Sequence, residues 1–550
     1  MIKLLEIIAE NCGAPVSSIK FDCTLQDLGV DSLSAIELKS EVEEAFKVGI
    51  GDDDLSLDST VQEIIVCLGL EITPWMKTGL NRSANDNLRT ISKSFELHAH
   101  QAVQDEKTAL TMSPFDALLD SEKIFESMSQ IFGYAGYWKQ VAPQQDRLLL
   151  AYLISGFKDL GADLSRLKQG DILPEVKFLE KHRKVMARVF EILQRLGIVT
   201  SSGDAFIRTS KQISYMPTAE LTEVFLKKHP KYRCEAELMA LTGPLLAQCL
   251  TGKVDPVSLL FGNPTSLAVL EDFYINSPML ATMTAQLVEM VAKIVRRNEG
   301  STPYRIMEVG AGFGGTTKAL VQVLSQTNLP VEYIYTDISP MLVKNARRKM
   351  SSSYPLMSFR TFNLEDEKIP DDLVGNCDLV ISTNCIHATS NKTTSLRRIR
   401  KLLRPNGCVI LSEVTCIFDW YEIVYGLLDG WWLASEYPLQ PAETWMKYFK
   451  DAGFDSYHYS TGMTSESRSQ RLLVASTRDW PIPGRVDTSV APVQHGSSQF
   501  RATVYKTTDG VEISADIFLP ARPPPDPMGI GKKAVLDNTS LLSSNLSKRS

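Results

Sequence analysis

Cysteine pairs, basic runs and long apolar runs are all scarce in this 550-residue chain. The nine cysteines are scattered, odd in number and include no Cys-x-x-Cys, which argues against a disulfide framework and a structural zinc site. The net charge is -7 and no dense basic tract occurs, so nucleic-acid binding is not expected. No apolar run approaches the roughly 20 residues of a membrane span, and acids inside the apolar N-terminus exclude a signal peptide. We therefore expect a cytoplasmic protein with no nucleic-acid, membrane or metal partner.

The remaining composition, 44% hydrophobic, is that of a globular protein with room for two to four domains. Helical periodicity predicts a small unit at residues 1–70, whose last helix starts after Asp58 or Ser59 as N-cap. Changes in hydrophobic periodicity and composition then predict the following segments: a linker at 71–112, helices throughout 113–300, alternating strands and helices of a parallel sheet at 301–476, a linker at 477–499, and two short strands with a disordered tail at 500–550.

A serine at a predicted helix start is the first functional signal. Residues 28–38 place Ser32 after Asp31, which can cap the helix, and the free backbone N–H groups there favour an attached phosphate. The helix then carries an acidic face suited to docking on basic surfaces, made of Glu37, Glu41, Glu43 and Glu44. An ordinary capped helix with a solvated acidic side is the alternative interpretation.

Residues 1–70 resemble the acyl carrier domains of polyketide synthases, through Leu28-Gly29 before Ser32 and Ile36-Glu37-Leu38 after it. The resemblance implies a four-helix bundle. It also implies a 4′-phosphopantetheine arm on Ser32, added by a separate phosphopantetheinyl transferase. The thiol at the end of that arm would hold the growing acyl chain as a thioester.

Residues 304–317 combine a strand, a glycine-rich turn and a helix start. Gly310, Gly312 and Gly314 let the backbone bend sharply and approach a ligand closely. Glu308 ends the strand, and Asp337 ends the next predicted strand, where its carboxylate can accept hydrogen bonds from both ribose hydroxyls of a nucleoside. These features predict a nucleoside-binding site at one edge of the sheet.

Later strands add polar residues at the same edge. Asn363 and Leu364 follow a third strand, and Asn384 ends a fourth. A helix end, a Pro-Asn-Gly turn and a fifth strand at 402–411 are typical of S-adenosylmethionine methyltransferases and unusual in dinucleotide dehydrogenases. The segments near 453 and at 471–475 would supply the last two strands, the final one antiparallel. A Rossmann-like domain with another ligand remains the alternative.

A histidine and a glutamate follow two neighbouring strands. His387 lies just past the fourth strand and Glu413 just past the fifth, and adjacent strands are about 5 Å apart. Because ligands bind beyond the carboxyl ends of parallel strands, both side chains are expected beside the cofactor. His387 would take an acidic proton between two carbonyls, while Glu413 would fix its tautomer, with no metal required. Taken singly, each residue has an ordinary structural interpretation.

Residues 113–476 resemble the C-methyltransferase domain of fungal non-reducing polyketide synthases, through segments at 133–138, 273–278, 308–317, 384–389, 412–415 and 426–432. The resemblance implies a multidomain chain: the carrier bundle, a helical lid, and a class I Rossmann-like core that binds S-adenosylmethionine. It implies a His–Glu dyad, here His387 and Glu413, and a tyrosine facing the site, here Tyr274. Asn363 departs from the family, in which an acid is common.

The resemblance also implies the reaction, which is C-methylation of a carrier-bound β-ketoacyl chain. It implies other polyketide synthase domains as partners. An aromatic cluster is expected to serve the core, with a channel-lining helix as the alternative: Trp420, Tyr421, Trp431 and Trp432. Residues 504–520 resemble the opening hairpin of an esterase-like domain, but no Gly-x-Ser-x-Gly occurs, so no hydrolase activity is expected. An idle carrier fragment and an O-methyltransferase are the competing functions.

Overall fold

The first helices of the chain enclose a small apolar core of their own. A computed structural model describes the following residues: 2–12, 19, 23–30, 32–49, 55–56, 58–68, 87, 89–91, 113–203, 205–213, 216–296, 302–327, 329–482, 499–506 and 512–518. Helices α1 (Ile2–Cys12), α2 (Ser32–Phe46) and α3 (Val61–Cys67) bury a core that includes Leu4 and Leu38. The fourth predicted helix is not among the described residues.

The start of α3 corrects one expectation. Thr60, rather than Asp58 or Ser59, caps the helix: its hydroxyl accepts a hydrogen bond from the Glu63 backbone N–H, and the Glu63 carboxylate accepts from the Thr60 N–H. This reciprocal pair is a capping box. Within the predicted linker, the described residues 87 and 89–91 are helical, and Ile91 is buried in the large core of the following region.

Short helices dominate residues 113–296. They are α4 (Pro114–Glu122), α5 (Phe125–Phe132), α6 (Tyr137–Gln140), α7 (Ala142–Asp159), α8 (Arg183–Arg195), α9 (Thr218–Lys228), α10 (Arg233–Thr242), α11 (Leu246–Leu250), α12 (Pro256–Phe261), α13 (Pro264–Asn276) and α14 (Pro278–Arg296). The expectation of helices throughout was wrong at one place: β1 (Val199–Ser202) and β2 (Ala205–Arg208) form an antiparallel hairpin. Each strand has only four residues and the turn between them has two, so the hairpin is too short to interrupt the helical periodicity of its surroundings.

The helix α14 resembles a membrane span in length and composition but is a core element. It is long and apolar enough to cross a membrane by length and composition alone, although no such segment was expected. Its most apolar window is 83% buried inside the protein, where Leu287 and Val291 are fully covered. The helix therefore packs as a core element, and length and composition are weak evidence for a span.

A seven-stranded sheet organises residues 304–476. Its strands are β3 (Tyr304–Val309), β4 (Val331–Asp337), β5 (Met357–Thr361), β6 (Cys377–Thr383), β7 (Leu403–Val414), β8 (Ser456–Tyr459) and β9 (Gln470–Ser476), in the spatial order β5-β4-β3-β6-β7-β9-β8. The helices on it are α15 (Gly315–Leu324), α16 (Pro340–Met350), α17 (Lys392–Leu402) and α18 (Ala442–Asp451). Strands β3 to β7 are parallel, and β9 runs antiparallel to β7, which confirms the expected antiparallel final strand.

Both faces of this sheet are buried, which explains the continuous apolar runs of its strands. Met307, Val380 and Val409 face one core together with α17 and α18. Their neighbours Ile306 and Leu379 face the opposite core, which is shared with the helices of residues 113–296. The alternation places the helical region against one face and leaves the carboxyl ends of β3, β4, β6 and β7 as a common edge.

The second compact unit of the chain comprises Gly484–Ser550. Its described part is the antiparallel pair β10 (Gln499–Lys506) and β11 (Glu512–Phe518). The two strands expected in this segment are thereby confirmed. The expected turn between them and the expected disordered tail lie outside the described residues.

Candidate active site

The glycine-rich turn after β3 forms the floor of the main cavity. Gly310, Gly312 and Gly314 have φ values of +68°, +59° and +75°, which side chains rarely adopt. A Cβ at Gly310 would collide with the Cys385 side chain. Gly310 and Gly312 line the cavity, whereas Gly314 is the N-cap of α15 and is not one of its lining residues.

Glu308 is 1% exposed at the end of β3 and lines the same cavity. Its Oε2 accepts hydrogen bonds from the Thr317 hydroxyl at 2.5 Å and the Tyr333 hydroxyl at 2.7 Å. Burial raises its pKa to about 7, although both hydroxyls oppose that shift. Glu308 therefore joins α15 to strands β3 and β4 beneath the glycine turn.

Asp337 ends β4 with its carboxylate at the cavity wall. Its Oδ2 accepts a hydrogen bond from the Gly312 N–H at 2.9 Å, and its Oδ1 accepts from the Ser339 N–H at 2.8 Å. The cavity has a volume of about 390 Å³, within the range of small-molecule sites. A carboxylate has lone pairs beyond these two bonds, so Asp337 can still accept from ligand hydroxyls.

The three other predicted contacts also line this cavity. Asn363 uses its side chain locally: its amide donates to Asp366 at 2.8 Å and accepts from the Glu365 N–H at 3.0 Å. Leu364 offers an apolar wall. Asn384 has φ +47° and its Oδ1 accepts from the Val414 N–H at 3.2 Å, which ties the end of β6 to the end of β7.

His387 and Glu413 are in direct contact. The Nδ1 atom of His387 lies 2.7 Å from Oε2 of Glu413, which is fully buried. The other oxygen of Glu413 accepts backbone N–H groups of Cys385, Ile386 and His387 at 3.2, 2.9 and 3.4 Å. A carboxylate only accepts hydrogen bonds, so in the neutral imidazole Nδ1 carries the proton and Nε2 keeps the lone pair.

His387 lines a second, smaller cavity of about 40 Å³. Tyr274, Leu280 and Asn384 line both cavities, so the two spaces share one wall. The Tyr274 ring stacks on Phe313 of the glycine turn at 5.9 Å, and burial raises the pKa of its hydroxyl. The remaining walls of the smaller cavity are mostly aromatic: Phe273, Val414, Tyr421, Tyr425, Trp431 and Leu439.

The aromatic cluster that sequence reasoning assigned to the core is thus divided. Tyr421 and Trp431 line the cavity with His387, whereas Trp432 donates its Nε1–H to the Gly426 carbonyl at 2.8 Å. The wall is built from 3₁₀ turns rather than an α-helix. Phe273 and Tyr425 were missed as site residues, since only their position after folding distinguishes them from core aromatics.

Ser32, the predicted attachment residue, is the first residue of α2. Its side chain and Asp31 lie outside the described details. On the predicted acidic face, Glu41 and Glu44 are exposed and Glu43 is partly buried. The Asn11 amide donates to the Glu41 carboxylate at 2.9 Å.

The larger cavity fits S-adenosylmethionine in its chemistry. A Cβ placed at Gly312 would meet nothing closer than 4.0 Å, so this backbone stays open to a ligand. Asp337 provides an acceptor for ribose hydroxyls, and Leu364 and Phe362 provide an apolar surface for a base. These residues would hold the adenosyl group.

Three family descriptions match the chain. They are "Phosphopantetheine attachment site" at residues 3–68, "Methyltransferase, Helix-turn-helix domain" at 120–206 and "Methyltransferase domain" at 307–409. Among curated proteins, "Non-reducing polyketide synthase atr1" of Stereocaulon alpinum is 38% identical over 539 residues. The match covers 94% of this chain and 21% of that protein. "Methylphloroacetophenone synthase" of Cladonia uncialis is 34% identical, with 95% and 22% covered. The chain thus spans about a fifth of the length of these relatives.

A solved structure completes the comparison. The CMeT domain of the citrinin polyketide synthase is 31% identical, with a TM-score of 0.64, and the match covers 67% of this chain and 99% of that domain. Fold, cavity and matches together define an S-adenosylmethionine-dependent methyltransferase joined to a phosphopantetheine carrier domain. The chain belongs to the family of polyketide synthase carbon methyltransferase domains.

Proposed function

We propose that this chain methylates the α-carbon of a β-ketoacyl chain held as a thioester on a phosphopantetheine arm. The observation that carries the proposal is the contact of the buried Glu413 with His387, which lines the smaller cavity beside the larger one. A histidine base suits the substrate class, because a proton between two carbonyls is acidic enough for an imidazole to remove. The family of polyketide synthases supports a polyketide thioester rather than a free small molecule.

His387 acts as the general base in this proposal. Its Nε2 lone pair takes the α-proton, and the electron pair of the C–H bond moves to the carbonyl oxygen and forms an enolate. Glu413 accepts the Nδ1–H bond and stabilises the resulting imidazolium. Three backbone N–H groups hold Glu413 in place, so the imidazole keeps one orientation through the proton transfer. The proton leaves His387 for solvent after the reaction.

The residues of the larger cavity hold and orient the cofactor. When bound, S-adenosylmethionine would supply an electrophilic methyl group for the enolate carbon, with sulfur keeping the electron pair of the S–CH₃ bond. Asp337 would accept hydrogen bonds from the ribose hydroxyls. The open backbone at Gly312 would leave room for the ligand. Tyr274, at the shared wall, keeps bulk water from the reacting atoms.

The wider assembly follows from the carrier domain. We infer that Ser32 carries the arm, that a separate phosphopantetheinyl transferase adds it, and that other polyketide synthase domains build the chain that is methylated. A cytoplasmic location remains a prediction.

The His387→Ala variant tests the proposal with acetoacetyl-N-acetylcysteamine and S-adenosylmethionine. We expect methyl transfer to fall by about 100-fold or more, the usual contribution of a general base. Mass spectrometry measures the added methyl, and carbon NMR shows whether it is on carbon or oxygen. Calorimetric binding of S-adenosylhomocysteine should be retained, and His458→Ala on β8, outside both cavities, should keep full activity. A wild-type protein that binds the cofactor analogue but never methylates the thioester would refute the proposal, and an O-methyl product would favour the competing class.

A further inference from the structure

Two buried hydrogen-bond donors in the smaller cavity have no partner among the described residues. They are the Tyr425 hydroxyl and the Trp431 indole N–H, and both residues line the cavity with His387. The two residues are 7% and 8% exposed, so both groups are withdrawn from bulk solvent. A buried donor left unpaired destabilises the folded protein, and such a group calls for an explanation.

The Tyr274 hydroxyl is the nearest competitor as a partner. A weak hydrogen-bonding contact with Tyr274 contributes to the raised pKa of Tyr425, but the two hydroxyls do not reach the geometry of a normal hydrogen bond. Burial is the larger cause of that raised pKa. Tyr425 therefore stays protonated at neutral pH and remains a donor.

The two donors lie on one wall beside the imidazole. The rings of Tyr425 and Trp431 stack at 5.7 Å with 24° between their planes, and Trp431 meets His387 edge-on at 5.5 Å. Buried donors without partners also occur at Tyr134 and Trp445, which line neither cavity. What distinguishes Tyr425 and Trp431 is that they line the space that contains the base.

The proposed chemistry creates negative charge in this space. Removal of the α-proton by His387 moves an electron pair to a carbonyl oxygen, yet no lysine or arginine is among the described residues that line either cavity. Preorganised neutral donors stabilise such a charge well where water is excluded.

Building on the proposed function, we propose that Tyr425 and Trp431 donate hydrogen bonds to the carbonyl oxygens of the substrate as the enolate forms. They would be catalytic residues, because they would touch the reacting atoms. The groups then gain their missing partners only when substrate is bound.

The Tyr425→Phe variant removes one hydroxyl and keeps the ring. We expect kcat for methyl transfer to acetoacetyl-N-acetylcysteamine to fall on the order of 100-fold, as for loss of one oxyanion donor, with little change in KM. Exchange of the α-protons into D₂O without cofactor, followed by NMR, should slow by a similar factor. Binding of S-adenosylhomocysteine should stay at the wild-type value, which shows that the variant is folded.

Two further variants complete the experiment. Replacing Trp431 with benzothienylalanine exchanges its N–H for sulfur at nearly the same shape and should lower the same two rates. Tyr134→Phe removes an unpaired buried hydroxyl outside the cavity and should leave both rates unchanged. If Tyr425→Phe and the Trp431 replacement keep wild-type rates while His387→Ala is inactive, this inference is wrong and the proposed function stands. If the wild type neither methylates nor exchanges the thioester, the proposed function itself has failed.

Discussion

Glu308 illustrates how a single residue can be placed correctly by sequence and still hold an unexpected role. Its position at the end of β3 follows from the local motif. Its bonds to Thr317 and Tyr333 do not, because those partners come from two other elements that only the fold brings together. The carboxyl is therefore as much a structural junction under the glycine turn as a wall of the cavity.

The raised pKa of Glu308 predicts a pH-dependent stability. Its folded pKa of about 7 exceeds the ordinary value of 4.5, so the folded state binds the proton more tightly than the unfolded state. The stabilisation from this group is fully present below about pH 4.5 and is lost as pH rises through about 7. The Glu308→Gln variant should remove this component, which amounts to about 3 kcal/mol.

Urea unfolding of wild type and variant across pH 4.5 to 7.5 measures the effect as a difference. The control is Glu332→Gln on the neighbouring strand β4, a half-exposed carboxylate outside the cavity that pairs with Arg305 at 2.7 Å. A wild-type minus Glu308→Gln difference that stays constant over this range would contradict the prediction.

At the scale of elements, the strand–turn–helix at residues 304–324 was predictable because its signal is local. Three glycines with positive φ follow one short strand. The contact of His387 with Glu413 was also expected, since carboxyl ends of neighbouring parallel strands must meet at one edge. Their catalytic roles stay proposals.

Other elements could not be read from the chain. The β1–β2 hairpin lies inside a helical pattern, and its short strands carry too little alternation to be recognised. The donors Tyr425 and Trp431 look like ordinary core aromatics, because their lack of partners is a property of the assembled cavity. Sequence patterns report periodicity, whereas unsatisfied polar groups arise from contacts between distant segments.

The glycine turn makes a prediction of its own. In Gly310→Ala, a residue at φ +68° gains a Cβ that collides with Cys385, so the cost should exceed the about 1–2 kcal/mol of left-handed backbone strain alone. The melting temperature should fall and calorimetry should show weakened S-adenosylhomocysteine binding. Gly375→Ala is the matched control: it has φ +62° but open space around it, so it should carry only the strain and keep normal binding. Equal losses in both variants would disprove the argument.

At the scale of the whole molecule, a carrier domain and a methyltransferase share one chain. A tethered substrate meets the active site at an effective concentration set by the connecting segment rather than by diffusion. The two proposed activities are nevertheless chemically separate, since Ser32 begins α2 of the carrier domain and the His387–Glu413 pair belongs to the methyltransferase.

Ser32→Ala should separate those activities. Incubation of the variant with a phosphopantetheinyl transferase and coenzyme A should give no added arm by mass spectrometry, while methylation of a free acetoacetyl thioester stays at the wild-type rate. Ser34→Ala, two residues further along, should still take up the arm. Full modification of the Ser32→Ala chain would place the attachment site elsewhere.

The strand order of the sheet has a consequence for synthesis on the ribosome. Because β9 is the last strand of the sheet in the chain but lies between β7 and β8, a nascent chain that ends before residue 470 leaves β7 with an unpaired edge and β8 without a neighbour. Glu413 faces Arg471 across that late pairing. The end of β7 that carries Glu413 therefore gains its neighbour as soon as residues 470 and 471 have been added, and the pairing then extends back toward Cys408 as the rest of β9 is made.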